Sequence, residues 1–380
     1  MAGRRGNGEG SIYYSDKLNR WVGQFTAGVK TNGMPNRKSV YGKTRKEVAD
    51  KITKALNEIK EHTFVDKSDI TLRELMEEII NYKHSTGLVT DSTFYRNKET
   101  IKQIEKNPVQ ILDLPIQKIS DKNLKQFFSY TQDFSNSTID KIHILINSTF
   151  KKAFQKRLVY ENPMLDVIKP KSNIETKKIE ALTIEEEKKL INVLVNEETG
   201  HKYANIILLM LHSGLRIGEA LALKTTDINL SEKTLNICRT ITKDAQGNII
   251  LGKTTKTDTS ARTIKTNQNL YKILEKSLKN YTENEYKLLF WDNGIIKQYE
   301  IRCYLYRIVE KYKISNHVNP HMLRHTYATR CIESGMSPVV LQKKLGHKDI
   351  SITLNTYTSV FAKFEDTQDD KYDEYFDQLH

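Results

Sequence analysis

The stretch NPHMLRHTY, residues 319–327, carries the strongest indication of fold and function in the 380-residue chain. Its Asn-Pro pair is typical of a helix N-cap followed by a proline in the first turn. His321 and Arg324 lie three positions apart, so a helix places both side chains on one face near its N-terminus. Such a pair is more often structural than catalytic, and its meaning depends on the rest of the chain.

A zinc site on this helix is not favoured. His321 and His325 have the HxxxH spacing of metalloprotease helices, but Met322 occupies the position of the expected glutamate. The three cysteines lie far apart and offer no metal-ligand spacing. The sequence therefore predicts no metal site, and a reducing compartment.

Three further segments contain candidate functional residues. SGLRIGEAL, residues 213–221, follows an apolar helix and breaks it with a glycine just before an arginine. KTTKT, residues 253–257, leads into a predicted turn, and LGH, residues 345–347, is followed by a tyrosine ten positions later. Each segment alone is a weak indication. The candidates within them are Arg216, Glu219, Lys253, Lys256, His347 and Tyr357.

Taken in order, these residues resemble the catalytic set of the tyrosine recombinases, the integrases of phages and conjugative transposons. The resemblance covers residues 175–362 by motif. It implies that Tyr357 attacks a phosphodiester and forms a 3′-phosphotyrosyl link, which conserves the bond energy and needs no ATP, metal or other cofactor. It also implies that Arg216 and Arg324 bind the non-bridging oxygens with rigid donor pairs that lysine lacks.

The resemblance assigns the remaining roles as well. Lys256 is the expected general acid, His321 assists proton transfer from the tyrosine, His347 donates to the phosphate, and Glu219 orients the site. Lys253 is a rival for Lys256, which we favour because it directly precedes a predicted turn and strand. The ten-residue gap between His347 and Tyr357 is one residue longer than in many relatives.

The first 65 residues predict a small DNA-binding domain. Three short strands, at residues 11–14, 20–26 and 37–41, precede a helix that begins at a Thr44–Glu47 capping box. This arrangement resembles the arm-site-binding domain of the family, and small sheets of this kind can enter a DNA groove. The residues expected to face a duplex are Arg20, Lys30, Arg37 and Lys38.

Residues 70–165 lack strand-like alternation and resemble the helical core-binding domain. Helices are predicted at residues 90–107, 120–131 and 137–157. The last has an apolar stripe of core type: Ile139, Ile142, Ile146, Phe150 and Phe154. Residues 166–180 form a basic linker in which Lys169 and Lys171 could follow a phosphate backbone, and a plain solvated connection is an equal alternative.

Residues 181–362 complete an α+β multidomain chain as the mainly α-helical catalytic domain. Helices are predicted at residues 183–195, 202–213 and 216–223, followed by a small antiparallel sheet and further helices. The predicted strands are residues 235–242, 249–254 and 262–265. Residues 363–380 form an acidic tail, which we expect to dock on a neighbouring subunit, with a disordered tail as the alternative.

The charge distribution favours a polyanionic partner. The net charge is +13, and residues 1–60 account for +8 of it, whereas residues 361–380 carry −5. The chain opens without an apolar signal segment and contains no apolar run of about 18 residues, so we expect a cytoplasmic, nucleoid-associated protein without membrane contact.

The leading hypothesis is a site-specific integrase of a mobile genetic element. The resemblance implies double-stranded DNA with core and arm attachment sites as partner, and a homotetramer on that DNA. It also allows for an excisionase and a host DNA-bending protein. Two alternatives stay open: a chromosome-dimer resolvase, whose relatives lack the arm-type domain, and a non-catalytic DNA-binding relative.

Overall fold

The computed structural model describes residues 10–29, 33–61, 64–65, 67–175, 180–198, 201–252, 261–315, 318–362 and 377. The chain divides into two compact units, residues 1–176 and 177–380. Of the acidic tail, only Asp377 is described. Among the described residues, no helix is both long enough and apolar enough to cross a membrane.

The first unit begins with an antiparallel sheet and one helix. Strands β1 (Ser11–Ser15), β2 (Arg20–Val29) and β3 (Pro35–Gly42) pair in the order β1-β2-β3, and helix α1 (Arg45–Lys60) follows. The Thr44 side chain caps α1, although Glu47 accepts from the backbone N–H of Lys43 rather than from that of Thr44. The three predicted strands and the predicted helix are all present.

Helix α1 covers one face of this sheet. Gly23 lies directly beneath it, since a Cβ atom there would come within 2.5 Å of Val48 and 2.6 Å of Ile52. Phe25 extends the same buried core. The glycine therefore permits close contact between helix and sheet, and the alternation along β2 leaves the other face open.

Four α-helices follow in the described part of the first unit: α2 (Leu72–Ser85), α3 (Asp91–Glu105), α4 (Asp121–Ser129) and α5 (Asn136–Gln155). The apolar stripe of α5 is buried from Ile139 to Phe150, as its spacing predicts. Phe154 is an exception to that prediction, because its side chain is 52% exposed. It lies in the last turn of α5.

The second unit is mainly helical. Helix α6 (Ile184–Asn192) continues as a π-helical turn (Val193–Glu197), and helices α7 (Ala204–Ser213) and α8 (Ile217–Leu221) follow. Helix α7 is buried on nearly all sides and forms the centre of the core. The later helices are α9 (Gln268–Lys279), α10 (Gln298–Lys311), α11 (Pro320–Glu333), α12 (Pro338–Leu345) and α13 (Ile350–Ala362).

The strands of this unit form two small sheets instead of the single one predicted. Strands β4 (Ile228–Asn229), β5 (Thr234–Ile237) and β8 (Arg262–Lys265) form one sheet, and β6 (Thr240–Lys243) pairs with β7 (Ile249–Gly252). The expected strand 235–242 is interrupted where Arg239 forms an ion pair with the buried carboxylate of Asp227. The α+β class itself is confirmed.

Candidate active site

Arg216 is fixed at the start of α8 by a carboxylate one turn later. Its backbone N–H donates to Glu219 Oε2 at 2.9 Å, and its Nη1 donates to Oε1 at 2.9 Å. Glu219 is only 3% exposed, whereas the Arg216 side chain is 39% exposed. The guanidinium is therefore held in a defined orientation while part of it reaches the surface.

Arg324 projects from α11 into a buried position. Its Nη1 donates to the carbonyl oxygen of Gly214 at 2.8 Å, and its Nη2 donates to that of Leu345 at 2.7 Å. Burial, followed by the charge of Arg216, lowers the pKa of Arg324 to about 9. The side chain remains cationic at neutral pH and ties together the ends of α7 and α12.

His321 occupies the first turn of the same helix. The Asn319 side chain accepts hydrogen bonds from the backbone N–H groups of His321 and Met322, and Pro320 occupies the first turn as predicted. Removal of water by its surroundings, and then the charges of Arg324 and Arg216, lower the pKa of His321. The imidazole is therefore neutral at pH 7 and able to accept a proton.

His347 follows the turn that ends α12. Its Nδ1 lies 2.8 Å from the hydroxyl oxygen of buried Thr353 in α13. Burial lowers the pKa of His347 to about 4, with further contributions from Arg324, Arg216 and Arg262. Leu345, two residues before His347, accepts from Arg324, and Gly346 lies against Arg262, so His347 is close to both arginines.

Tyr357 is 3% exposed and packs in a cluster with Cys331 and Leu345. Its ring centroid lies 5.3 Å from that of His325. The backbone of α13 leaves helical geometry at this residue, with φ −117° and ψ 15°. Burial raises the pKa of Tyr357 to about 12, although the charge of Arg324 opposes this shift. The phenol is protonated at neutral pH.

The sequence analysis missed one member of this cluster, Arg262 on β8. Its Nη2 and Nη1 donate to the two carboxylate oxygens of Glu219 at 2.9 Å and 3.2 Å. Burial alone would raise the pKa of Glu219, but the hydrogen bond and charge of Arg262 outweigh it and lower that pKa to about 2. Sequence spacing gives no signal for this pair, since 43 residues separate its members.

Arg216, His321, Arg324, His347 and Tyr357 therefore meet in one unit, together with Glu219. Lys253 and Lys256 lie outside the described residues. Across the part of the chain that is described, no group of three or more His, Cys, Asp or Glu residues could hold a metal ion.

The residues predicted to contact DNA lie in the first unit. Arg20 and Arg37 belong to the open face of the sheet, where the Arg20 guanidinium lies 5.7 Å from the Tyr41 ring centroid. Lys38 is opposite Phe25 in the register, on the face that α1 covers, which departs from the expectation that it faces a duplex. Lys30 lies outside the described residues.

The linker lysines are both at the surface of the first unit. Lys169 forms an ion pair with Asp140 of α5, and Lys171 is exposed. A phosphate would therefore compete with Asp140 for Lys169. Among the ion pairs of the described residues, none includes Lys171.

The chain is similar in sequence to several known proteins. Residues 180–363 match the phage integrase family. A tyrosine recombinase XerC-like protein of Caldanaerobacter subterraneus subsp. tengcongensis is 30% identical, over 89% of this chain and 92% of that protein. The transposase of transposon Tn916 from Enterococcus faecalis is 28% identical, over 59% of this chain and 58% of the transposase.

Two solved structures have a similar fold. The Tn1549 transposon integrase in complex with a circular intermediate DNA superimposes with a TM-score of 0.66 at 21% identity, over 78% of this chain and 99% of that chain. A lambda integrase dimer bound to a core site gives a TM-score of 0.56 at 16% identity, over 93% and 96% of the two chains.

Proposed function

This chain belongs to the phage integrase family of tyrosine recombinases, and we propose that it integrates and excises a mobile element by cutting and resealing DNA through Tyr357. The observation that carries the proposal is the convergence of two arginines, two histidines and one buried tyrosine in the second unit. Tyr327 follows His321 by six residues in the same motif and is the rival nucleophile.

The proposed cleavage step gives each of these groups the role that family membership suggests. The Tyr357 hydroxyl oxygen forms a bond to phosphorus, and the bond from phosphorus to the 5′ oxygen breaks. The phenol proton passes to His321, whose lowered pKa makes it a neutral acceptor. Lys256 gives a proton to the leaving 5′ oxygen. Resealing reverses these steps, with the 5′-hydroxyl of the partner strand as nucleophile.

Arg216 and Arg324 would stabilise the transition state. Two negative charges build up on the non-bridging oxygens of the pentavalent phosphorus, and fixed guanidinium donors oppose them at little reorganisation cost. Carboxylate and carbonyl partners hold both side chains in place before DNA binds. The bond energy stays in the phosphotyrosyl link, so we propose that the reaction needs no ATP and no metal.

The first unit would hold the DNA. On the open face of its sheet, Arg20 and Arg37 lie near exposed Tyr13 and Tyr41. This mixture of cations, aromatic rings and hydrogen-bonding groups suits the edge and backbone of a duplex. We propose this face, extended by Lys30, as the arm-site contact, and Lys171 as a phosphate contact near the core site.

The number of nucleophiles that recombination needs supports a tetramer on DNA. Recombination of two duplexes cuts four strands, and each subunit provides one Tyr357, so four subunits must meet on DNA. A lambda integrase tetramer bound to a Holliday junction has a fold similar to that of this chain, with a TM-score of 0.56. An excisionase and a host DNA-bending protein are further proposed partners, and these two rest on family membership alone.

A covalent-trapping experiment tests the reaction. The chain is incubated with a nicked attachment-site duplex, from which the cleaved fragment diffuses away, and adducts are separated in SDS. We expect an SDS-stable adduct with the wild-type chain and with Tyr327→Phe, and none with Tyr357→Phe. An undiminished adduct from Tyr357→Phe, or no adduct from the wild type at its own site, would contradict the proposal.

A further inference from the structure

We propose that Arg262 is a positioning residue for strand cleavage, because it links the start of α8, which carries Arg216, to the end of α12, which Arg324 also contacts and which His347 follows. The inference rests on the proposed function. Arg262 does not itself need to contact DNA, since its side chain is only 6% exposed.

The first link runs through Glu219 to Arg216. Both carboxylate oxygens of Glu219 accept from Arg262, and both also accept from Arg216, one from its backbone and one from its side chain. A carboxylate held by two N–H donors of one guanidinium has little rotational freedom. The orientation of Arg216 is thereby set from β8.

The second link runs to the end of α12. Arg262 Nε donates to the carbonyl oxygen of Lys344 at 2.7 Å, and Arg324 Nη2 donates to the next carbonyl, that of Leu345, at 2.7 Å. Two consecutive carbonyl groups that the helix leaves without internal partners are therefore capped by arginines. Helix α12 cannot shift without disturbing both side chains.

The turn that follows packs directly on Arg262. Gly346 has φ +65°, and a Cβ atom there would lie 3.0 Å from Arg262 Nη1. His347 is the next residue, so the contact that requires glycine also fixes the point from which the imidazole projects. Arg262 thus contacts the segments that carry Arg216 and His347, and it shares the end of α12 with Arg324.

Charge gives Arg262 a second effect. With Glu219 shared between two guanidiniums, Arg216 is not neutralised and keeps positive charge available for a phosphate. Without Arg262, Glu219 would pair with Arg216 alone. Because the Glu219 carboxylate is buried, its attraction to Arg216 is strong. Loss of Arg262 should therefore weaken cleavage more than DNA binding.

The experiment uses the full chain with Arg262→Gln and Arg262→Lys. Cleavage is measured under single-turnover conditions on an attachment-site duplex, and affinity is measured on the same DNA. We expect about 100-fold slower cleavage with Arg262→Gln, because small displacements of catalytic groups cost that much, and less than threefold weaker binding. Arg262→Lys should recover part of the rate, since it restores the charge but not the paired donors.

A second substrate separates positioning from general damage to the fold. A methylphosphonate at the cut site replaces one charged oxygen with a methyl group and reduces the need for Arg216. We expect the loss from Arg262→Gln to be at least tenfold smaller on this DNA, as for Arg216→Gln. Arg330→Gln, which breaks ion pairs with Glu187 and Glu333, should change cleavage of the two substrates equally.

The outcomes distinguish the two proposals. No adduct from the wild-type chain on the phosphodiester would contradict the proposed function. A wild-type adduct contradicts the role of Arg262 if Arg262→Gln cleaves at the wild-type rate, or if cleavage and binding fall by the same factor. If Arg262→Gln does not fold, cleavage by Arg262→Lys at the wild-type rate would overturn the inference, and a selective loss of cleavage would support it.

Discussion

At the scale of single residues, His347 depends on a neighbour in the next helix. We expect the Thr353 hydroxyl to donate to Nδ1 of His347, which leaves the ring proton on Nε2, the atom that can donate to a phosphate. Thr353→Val keeps the shape but removes the donor. Loss of one hydrogen bond worth about 1 kcal/mol should slow cleavage about fivefold.

Thr353→Ser is the matched control, because it retains the hydroxyl group. Single-turnover cleavage of an attachment-site duplex at pH 7.5 measures both variants. Equal rates for Thr353→Val and Thr353→Ser would show that the hydroxyl does not select the tautomer.

The lowered pKa of His347 also predicts a pH effect on stability. Its pKa is about 4 in the folded chain and about 6.5 in an unfolded one. The unfolded chain therefore binds more protons between these values, and stability falls as the pH decreases from about 6.5 to 4. By linkage, this histidine should contribute about 2 kcal/mol to the loss between pH 7 and pH 4.5.

Two measurements test this effect in the absence of DNA. NMR titration of ¹³C-labelled histidine should give a pKa for His347 well below that of an exposed histidine, with the signal assigned by His347→Gln. The same variant should lose less free energy of unfolding on acidification than the wild type. A normal pKa, or an equal loss in the variant, would contradict the prediction.

At the scale of elements, the first turn of α11 supports the catalytic face of that helix. Asn319 caps the turn that contains His321, with Arg324 one turn later. Asn319→Ala should lower the free energy of unfolding by about 1 kcal/mol and should also slow cleavage, because the first turn of the helix frays. Urea unfolding and single-turnover cleavage measure the two effects.

Thr183→Ala is the control for this prediction. Thr183 closes a capping box on α6, and its side chain accepts from the backbone N–H of Glu186 in the same helix. It should cost similar stability and leave the cleavage rate near that of the wild type. Equal slowing by both variants would mean that only stability matters.

The helices and strands also differ in how far the sequence predicts them. Capping signals at Thr44 and Asn319 predicted helix starts that are confirmed, because a cap is a contact within four residues. The interruption between β5 and β6 was not predicted; Arg239 pairs there with buried Asp227, a contact between residues that are not neighbours in sequence. Helix α13 was not predicted either.

The candidate site, like the fold, is predictable where a motif marks a residue and not where residues remote in sequence make contact. Family resemblance indicated the residues that the structure brings together around Arg324, because a motif preserves chemistry irrespective of distance along the chain. Arg262 escaped notice because its role depends on contacts with Glu219 and Lys344, which are remote in sequence. The proposed role of Lys256 stays a prediction, as this lysine lies outside the described residues.

At the scale of the whole molecule, charge separates the ends of the chain. Residues 1–60 carry a net +8 and residues 361–380 a net −5. The charge of the first segment lies partly on the open face of the sheet, through Arg20 and Arg37. The first 65 residues should therefore supply most of the electrostatic affinity for arm sites.

The salt dependence of DNA binding tests this division. Each phosphate contact releases condensed counterions, so the affinity falls more steeply with salt as contacts increase. Deleting residues 1–65 should remove most of this dependence at arm sites and leave that at the core site nearly unchanged. Arg20→Ala and Arg37→Ala should each reduce the arm-site slope by about 1.

Lys54→Ala is the control, since Lys54 is exposed on α1, which covers the opposite face. An unchanged arm-site slope after the deletion, or an equal decrease with Lys54→Ala, would contradict a DNA-binding role for the open face.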